Sequence, residues 1–136
     1  FSTINLISQE QTAGELFEKA LYLEEAQGDL QKAIELYQNI LNQFPKDREI
    51  SAKAQLHIGL CYEKLGLNEA QKAYQKVLDN FPDQIDTAKV AQEKLSMILR
   101  AKSSLKTGEK EIRIRKIWEN SDENSEGLCK AYLVSG

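Results

Sequence analysis

The chain of 136 residues, with 41% hydrophobic and 29% charged positions, has the make-up of a folded domain with one core and not of a disordered tail. Eighteen Lys and Arg against 21 Asp and Glu leave a net charge of −3, which supplies no large positive field for a nucleic-acid backbone or an anionic membrane. With 2 Pro and 7 Gly the chain lacks the turns of a sandwich or barrel, and 2 Cys with 1 His exclude a disulfide framework and a histidine-cluster metal site.

Residues 1–11 form an N-terminal segment. Phe1 to Ser8 is uncharged and mildly apolar before Gln9-Glu10-Gln11, which fits either the trimmed remainder of an export signal or the first turn of a helix. No run of 18 apolar residues occurs, so membrane insertion is not expected. A first helix is predicted over about 12–27. Thr12-Ala13-Gly14-Glu15 has the form of a capping box, and Leu16, Ala20 and Leu23 give an inward stripe if the turn before Ala33 is stretched by one residue. The second helix, about 30–44, carries Ala33, Tyr37, Ile40, Leu41 and Phe44 at helical spacing and stops at Pro45. A third, about 47–65, contains Ile58-Gly59-Leu60-Cys61-Tyr62 and ends at Gly66. The fourth, about 68–80, carries Ala70, Tyr74, Val77, Leu78 and Phe81 and stops at Pro82. A fifth is predicted over about 84–102.

Ala33 to Pro45 (AIELYQNILNQFP) and Ala70 to Pro82 (AQKAYQKVLDNFP) match at Ala, Tyr, Gln, Leu, Phe and Pro, 37 positions apart. The order apolar-Gly-x-x-Tyr, Gly, Ala, aromatic, Pro resembles the tetratricopeptide repeat, a helix-turn-helix unit. Physically, Gly59 on one helix and Ala70 on the next lack bulk where antiparallel partners touch, with Tyr62 and Tyr74 filling the space beside them. A further step of 37 from Ile58, Gly59 and Tyr62 reaches Leu95, Ser96 and Leu99, so the fifth helix opens a third unit and caps the array, with Leu95 and Leu99 toward the core. The expected fold is all-α: a right-handed superhelix of five antiparallel-paired helices over residues 12–102, followed by a linker and short extended or β tail over 103–136.

In that tail Ser103 to Gly108 reads as a turn, Ile112 and Ile114 alternate with Arg113 and Arg115 as in a strand, Glu119 to Gly127 is an acidic linker, and Leu128 to Val134 is a second short strand. Residues 16–24 (LFEKALYLE), Gly28-Asp29, Ala33 to Tyr37 and His57 to Gly66 together resemble the N-terminal module of bacterial proteins in which tetratricopeptide repeats precede a TolB-like β-propeller. Arg113 to Trp118 (RIRKIW) is similar to the segment entering the first blade. The resemblance implies a non-enzymatic protein-interaction module at the front of a larger envelope protein. Its localisation would be periplasmic, with the cytoplasm as the alternative, and its partner a protein or peptide, its own C-terminal tail, or the following propeller, which it would support structurally.

By analogy with the same family, the inner groove consists of Leu56, Leu60 and Lys64 around Gly59, then Glu93, Met97 and Ala101 around Ser96, with Val90 on the side of Met97. Leu56 and Leu60 stand where some relatives carry the Lys and Asn set that clamps a terminal carboxylate, so that mode of recognition is not expected. His57 and Cys61 have zinc-ligand spacing, which would give a zinc-dependent enzyme fragment, but they read better as a half-exposed neighbour and a small core residue. Glu24-Glu25 and Asp122-Glu123 read as solvated faces. Lys106, Lys110, Arg113, Arg115 and Lys116, near Trp118, read as the charged edge of a strand and not as a nucleic-acid site. No cofactor and no catalytic residue is expected.

Overall fold

The computed structural model describes the backbone of residues 11–134 and the side chains of residues 11–117. The reading of residues 1–10 as a signal remnant, and the readings of Trp118 and the Asp122-Glu123 pair, lie outside the described side chains. Five helices run through the described residues: α1 (Ala13–Tyr22), α2 (Leu30–Gln43), α3 (Arg48–Lys64), α4 (Glu69–Asn80) and α5 (Ile85–Val134), with a π-helical turn at Leu23–Gln27 after α1.

The local sequence accounts for each boundary. Thr12 caps α1 by a reciprocal box, its Oγ1 accepting from Glu15 N at 3.2 Å while Glu15 Oε2 accepts from Thr12 N at 3.1 Å. Asp29 and Asp47 cap α2 and α3 by accepting from Lys32 N and Ile50 N. Gly28 and Gly66 close the first helix of each unit at φ 67° and 69°, a region that costs glycine nothing. Phe44 and Phe81, each before a proline, leave the helix with nearly the same backbone angles, φ −123° and −129°. Arg48, at the start of α3, donates its Nε to Asp83 Oδ2 and one Nη to Asn80 O, both at 2.9 Å, and lies over the Phe81 ring at 5.3 Å. That clamp fixes the α4–α5 turn against the beginning of α3.

Successive helices pack on one another, α1 on α2, α2 on α3 and α3 on α4, and α1 also reaches α3. Leu16, Ala20, Ala33, Ile34, Tyr37, Ile40, Ala54, Ile58 and Cys61 form the first core, while Ala70, Tyr74, Val77, Ala91 and Leu95 continue it. The small residues act as expected at the first two positions. Gly59 and Ala70 are buried, whereas Ser96 is half-buried and returns its hydroxyl to Gln92 O. At Gly59 the fit is closer than a flanking arrangement, because a Cβ there would meet Tyr74 Cε1 at 2.5 Å and Cδ1 at 2.7 Å. The tyrosine ring occupies the glycine's own missing volume.

The predicted extended tail is a correction: no strand occurs among the described residues, and α5 runs as helix to Val134. Ser103, Ser104 and Thr107, read as turn-formers, instead turn their hydroxyls back to Arg100 O, Arg100 O and Ser103 O, which a helix accommodates. Ile112 and Ile114 are exposed on that helix, and so are the five basic residues from Lys106 to Lys116, which do not form a strand edge. The chain divides into two compact units, one ending at Ser96 and one beginning at Met97, the second being helical throughout its described part.

Candidate functional site

The turn beside the polar centre of the first unit holds one extra residue. Gly66 follows Gly59 by seven positions, but Gly28 follows Ala20 by eight. The π turn at Leu23–Gln27 absorbs the difference, closed by Gly28 N donating to Leu23 O, and Glu24, four positions after Ala20 as Glu63 is four after Gly59, faces inward. The side chain of Glu24 is 2% exposed. Its Oε1 accepts from Lys64 Nζ at 2.7 Å, and its Oε2 accepts from Tyr37 Oη at 3.0 Å and lies 2.8 Å from His57 Nδ1.

Burial alone would push the Glu24 carboxyl up, but the hydrogen bonds from His57, Lys64 and Tyr37 and the charge near His57 outweigh it and bring it down to about 2. The same site pushes the Cys61 thiol up to about 12, first by burial and then by the Glu24 charge. Tyr37 is raised far above the usual phenol range, for the same two reasons. Phe17, Tyr37 and His57 cluster in tilted and edge-to-face contacts with ring centroids 5.3 to 5.5 Å apart, Tyr37 and His57 being the two that meet the carboxylate. Reading Glu24 as part of a solvated acidic pair is therefore corrected, because Glu24, one turn after the buried Ala20, lies on the inner face while Glu25 stays exposed.

The arrangement recurs in the second unit. Glu63 accepts from Tyr74 Oη and from Lys94 Nζ, the latter at 3.1 Å. Burial raises the Glu63 carboxyl, and Tyr74 and Lys94 lower it by more. Tyr37 and Tyr74, and likewise His57 and Lys94, stand 37 positions apart, whereas Glu24 and Glu63 stand 39 apart. Each carboxylate on the first helix of a unit thus takes a tyrosine from the second helix of that unit and a basic side chain from the first helix of the next. The tyrosine and basic spacings were readable from the repeat, but the two added residues between Ala20 and Ala33 moved the carboxylates out of step.

Within this site Glu24 and Cys61 are buried, while His57 and Lys64 stay partly exposed. Cys61 is fully buried and its thiol is protonated at neutral pH, so it is not presented as a zinc ligand beside His57. Among the described residues no three His, Cys, Asp or Glu side chains are placed to hold a metal ion.

The seven groove candidates divide. On α3, Leu56 is buried, Leu60 is half-buried and Lys64 delivers its ammonium to Glu24. On α5, Val90 is 40% exposed and Glu93 is exposed. Met97, 64% exposed, and Ala101, also exposed, belong to the second unit. Leu95 packs in the core as expected, but Leu99 is 47% exposed and does not.

The family profile described as Tetratricopeptide repeat matches residues 16–47 and 53–83, one match for each α-helical pair. No curated protein and no solved structure matches the chain. No helix among the described residues is long and apolar enough to cross a membrane.

Proposed function

We propose that the two tetratricopeptide repeats make this chain a non-enzymatic scaffold that binds a protein or peptide along its first-helix face, through Leu60 on α3 and Val90 and Glu93 on α5. The observation carrying this reading is that α3 and the start of α5 are the first helices of successive units, tied by Lys94 to Glu63, while Val90 stays uncovered. Repeats of this family generally mediate protein–protein contact, and Glu24 and Cys61 are both buried, the first held ionised and the second protonated near neutral pH.

Peptides selected from a displayed library against the whole chain test it. Their affinity is expected to fall about tenfold, or roughly 1.4 kcal/mol, on Leu60→Lys and Val90→Lys. Selected peptides that bind both variants as tightly as the parent would remove this face from consideration.

The envelope setting belongs to the same reading and rests on the sequence resemblance of residues 12–118 to the repeat modules that precede TolB-like propellers. The helical course of residues 112–118 gives the propeller junction no support from the fold. Fractionation of cells expressing the complete gene product is expected to recover it with periplasmic markers. Recovery with cytoplasmic markers would refute export.

A further inference from the structure

The opposite side of the first unit holds a cleft of about 380 Å³, in which α2 and α4 form the walls and α3 the floor. Its size falls within the range of about 300–1,000 Å³ typical of ligand clefts. Ile58, Tyr62 and Ala73 line its base, and none of the seven groove candidates contributes to it.

The two walls differ in chemistry. On α4, Lys72 and Lys76 stand one turn apart and exposed, and among the described residues neither has a carboxylate within ion-pairing distance. On α2, Gln38 and Asn42 stand one turn apart with exposed amides. The positions 37 residues before the two lysines are Glu35 and Asn39, so the cationic wall is particular to α4 and not imposed by the repeat. With Glu69 as the only acid on the lining, the cleft carries a local positive balance on a chain whose net charge is −3.

We propose that this cleft binds an extended acidic peptide segment. Carboxylates of the segment pair with Lys72 and Lys76, and an intervening apolar side chain enters between Ile58, Tyr62 and Ala73. Its backbone amides meet Gln38 and Asn42, whose separation of about 6 Å along the helix is near the repeat of about 6.6 Å between same-facing groups of an extended chain. This goes beyond the first-helix face above and uses none of its residues.

The test is titration of the intact chain, followed by ¹⁵N NMR, with a short N-acetylated, C-amidated peptide alternating glutamate and leucine, and with its lysine–leucine counterpart. The acidic peptide is expected to shift amides around Gln38, Asn42, Lys72 and Lys76, and to bind about tenfold or more weakly to the double variant Lys72→Glu/Lys76→Glu. Both lysines are exposed, so the variant is expected to keep the parent circular dichroism spectrum. Equal binding of the two peptides, binding unaffected by the charge reversal, or the absence of shifts at the cleft overturns the proposal. Shifts confined to Leu60, Val90 and Glu93 would overturn it while upholding the first-helix face.

Discussion

Gly59→Leu is expected to lower the unfolding free energy by about 3 kcal/mol, measured by chemical denaturation against the parent chain. The Tyr74 ring lies where the new side chain must begin, with its Cε1 at 2.5 Å from the would-be Cβ. The ring has no easy retreat. Tyr74 is fully buried and its hydroxyl is held by Glu63. Moving it either separates α3 from α4 or breaks the contact to Glu63, and both routes cost packing that the repeat uses elsewhere. Gly59→Ala is expected to lie lower on the same scale, since it adds only the first clashing atom. A leucine variant as stable as the parent would show that α3 and α4 are not nested at this glycine.

Glu24→Gln is expected to cost about 2–3 kcal/mol at pH 7, because it keeps the shape but leaves Lys64 and His57 facing a neutral amide in a closed site. The pH dependence provides a sharper readout. Glu24 sits at about 2 in the folded chain against an ordinary 4.5, so between those values the unfolded chain binds more protons. Its contribution, about 3 kcal/mol, is therefore complete above about pH 5 and disappears as the pH falls toward 2. Asp83, held low by Arg48, loses its pairing over part of the same acid range in parent and variant alike, so the difference between the two curves isolates Glu24. Acid denaturation curves that run parallel would mean that the carboxylate is not held ionised by its three donors.

The helices were legible because each carries redundant signals at its ends. Thr12 with Glu15, Asp29, Asp47, Gly28, Gly66 and the two prolines all stop or start a helix by local chemistry, and the spacing of 37 between Tyr37 and Tyr74 aligned the units. The tail was not legible, because Ile112 and Ile114 alternate with arginines over too short a stretch to separate a period of two from an exposed helix. Ser103, Ser104 and Thr107 added a misleading turn signal that back-bonding to the helix removes. The buried carboxylate was hidden for a different reason. Glu24 and Glu25 are alike in composition, and only the place of Glu24 one turn after Ala20, matching that of Glu63 after Gly59, distinguishes it from its solvated neighbour. Of the groove candidates, Leu56 was placed by family analogy at a position that the core claims here.

The carboxylate ties have a consequence for how the array comes apart. Each runs from one repeat to the following one, His57 and Lys64 reaching back to Glu24 and Lys94 reaching back to Glu63. Peeling away the start of α5 strips Glu63 of its cation, and losing α3 strands a carboxylate in a pocket lined by aromatic rings. Stability in such an array is weighted toward the couplings between neighbours and away from the individual hairpins. Residues 13–95 are therefore expected to melt as one cooperative block in a denaturant titration, and two separated transitions would show the ties to be weaker than the hairpins.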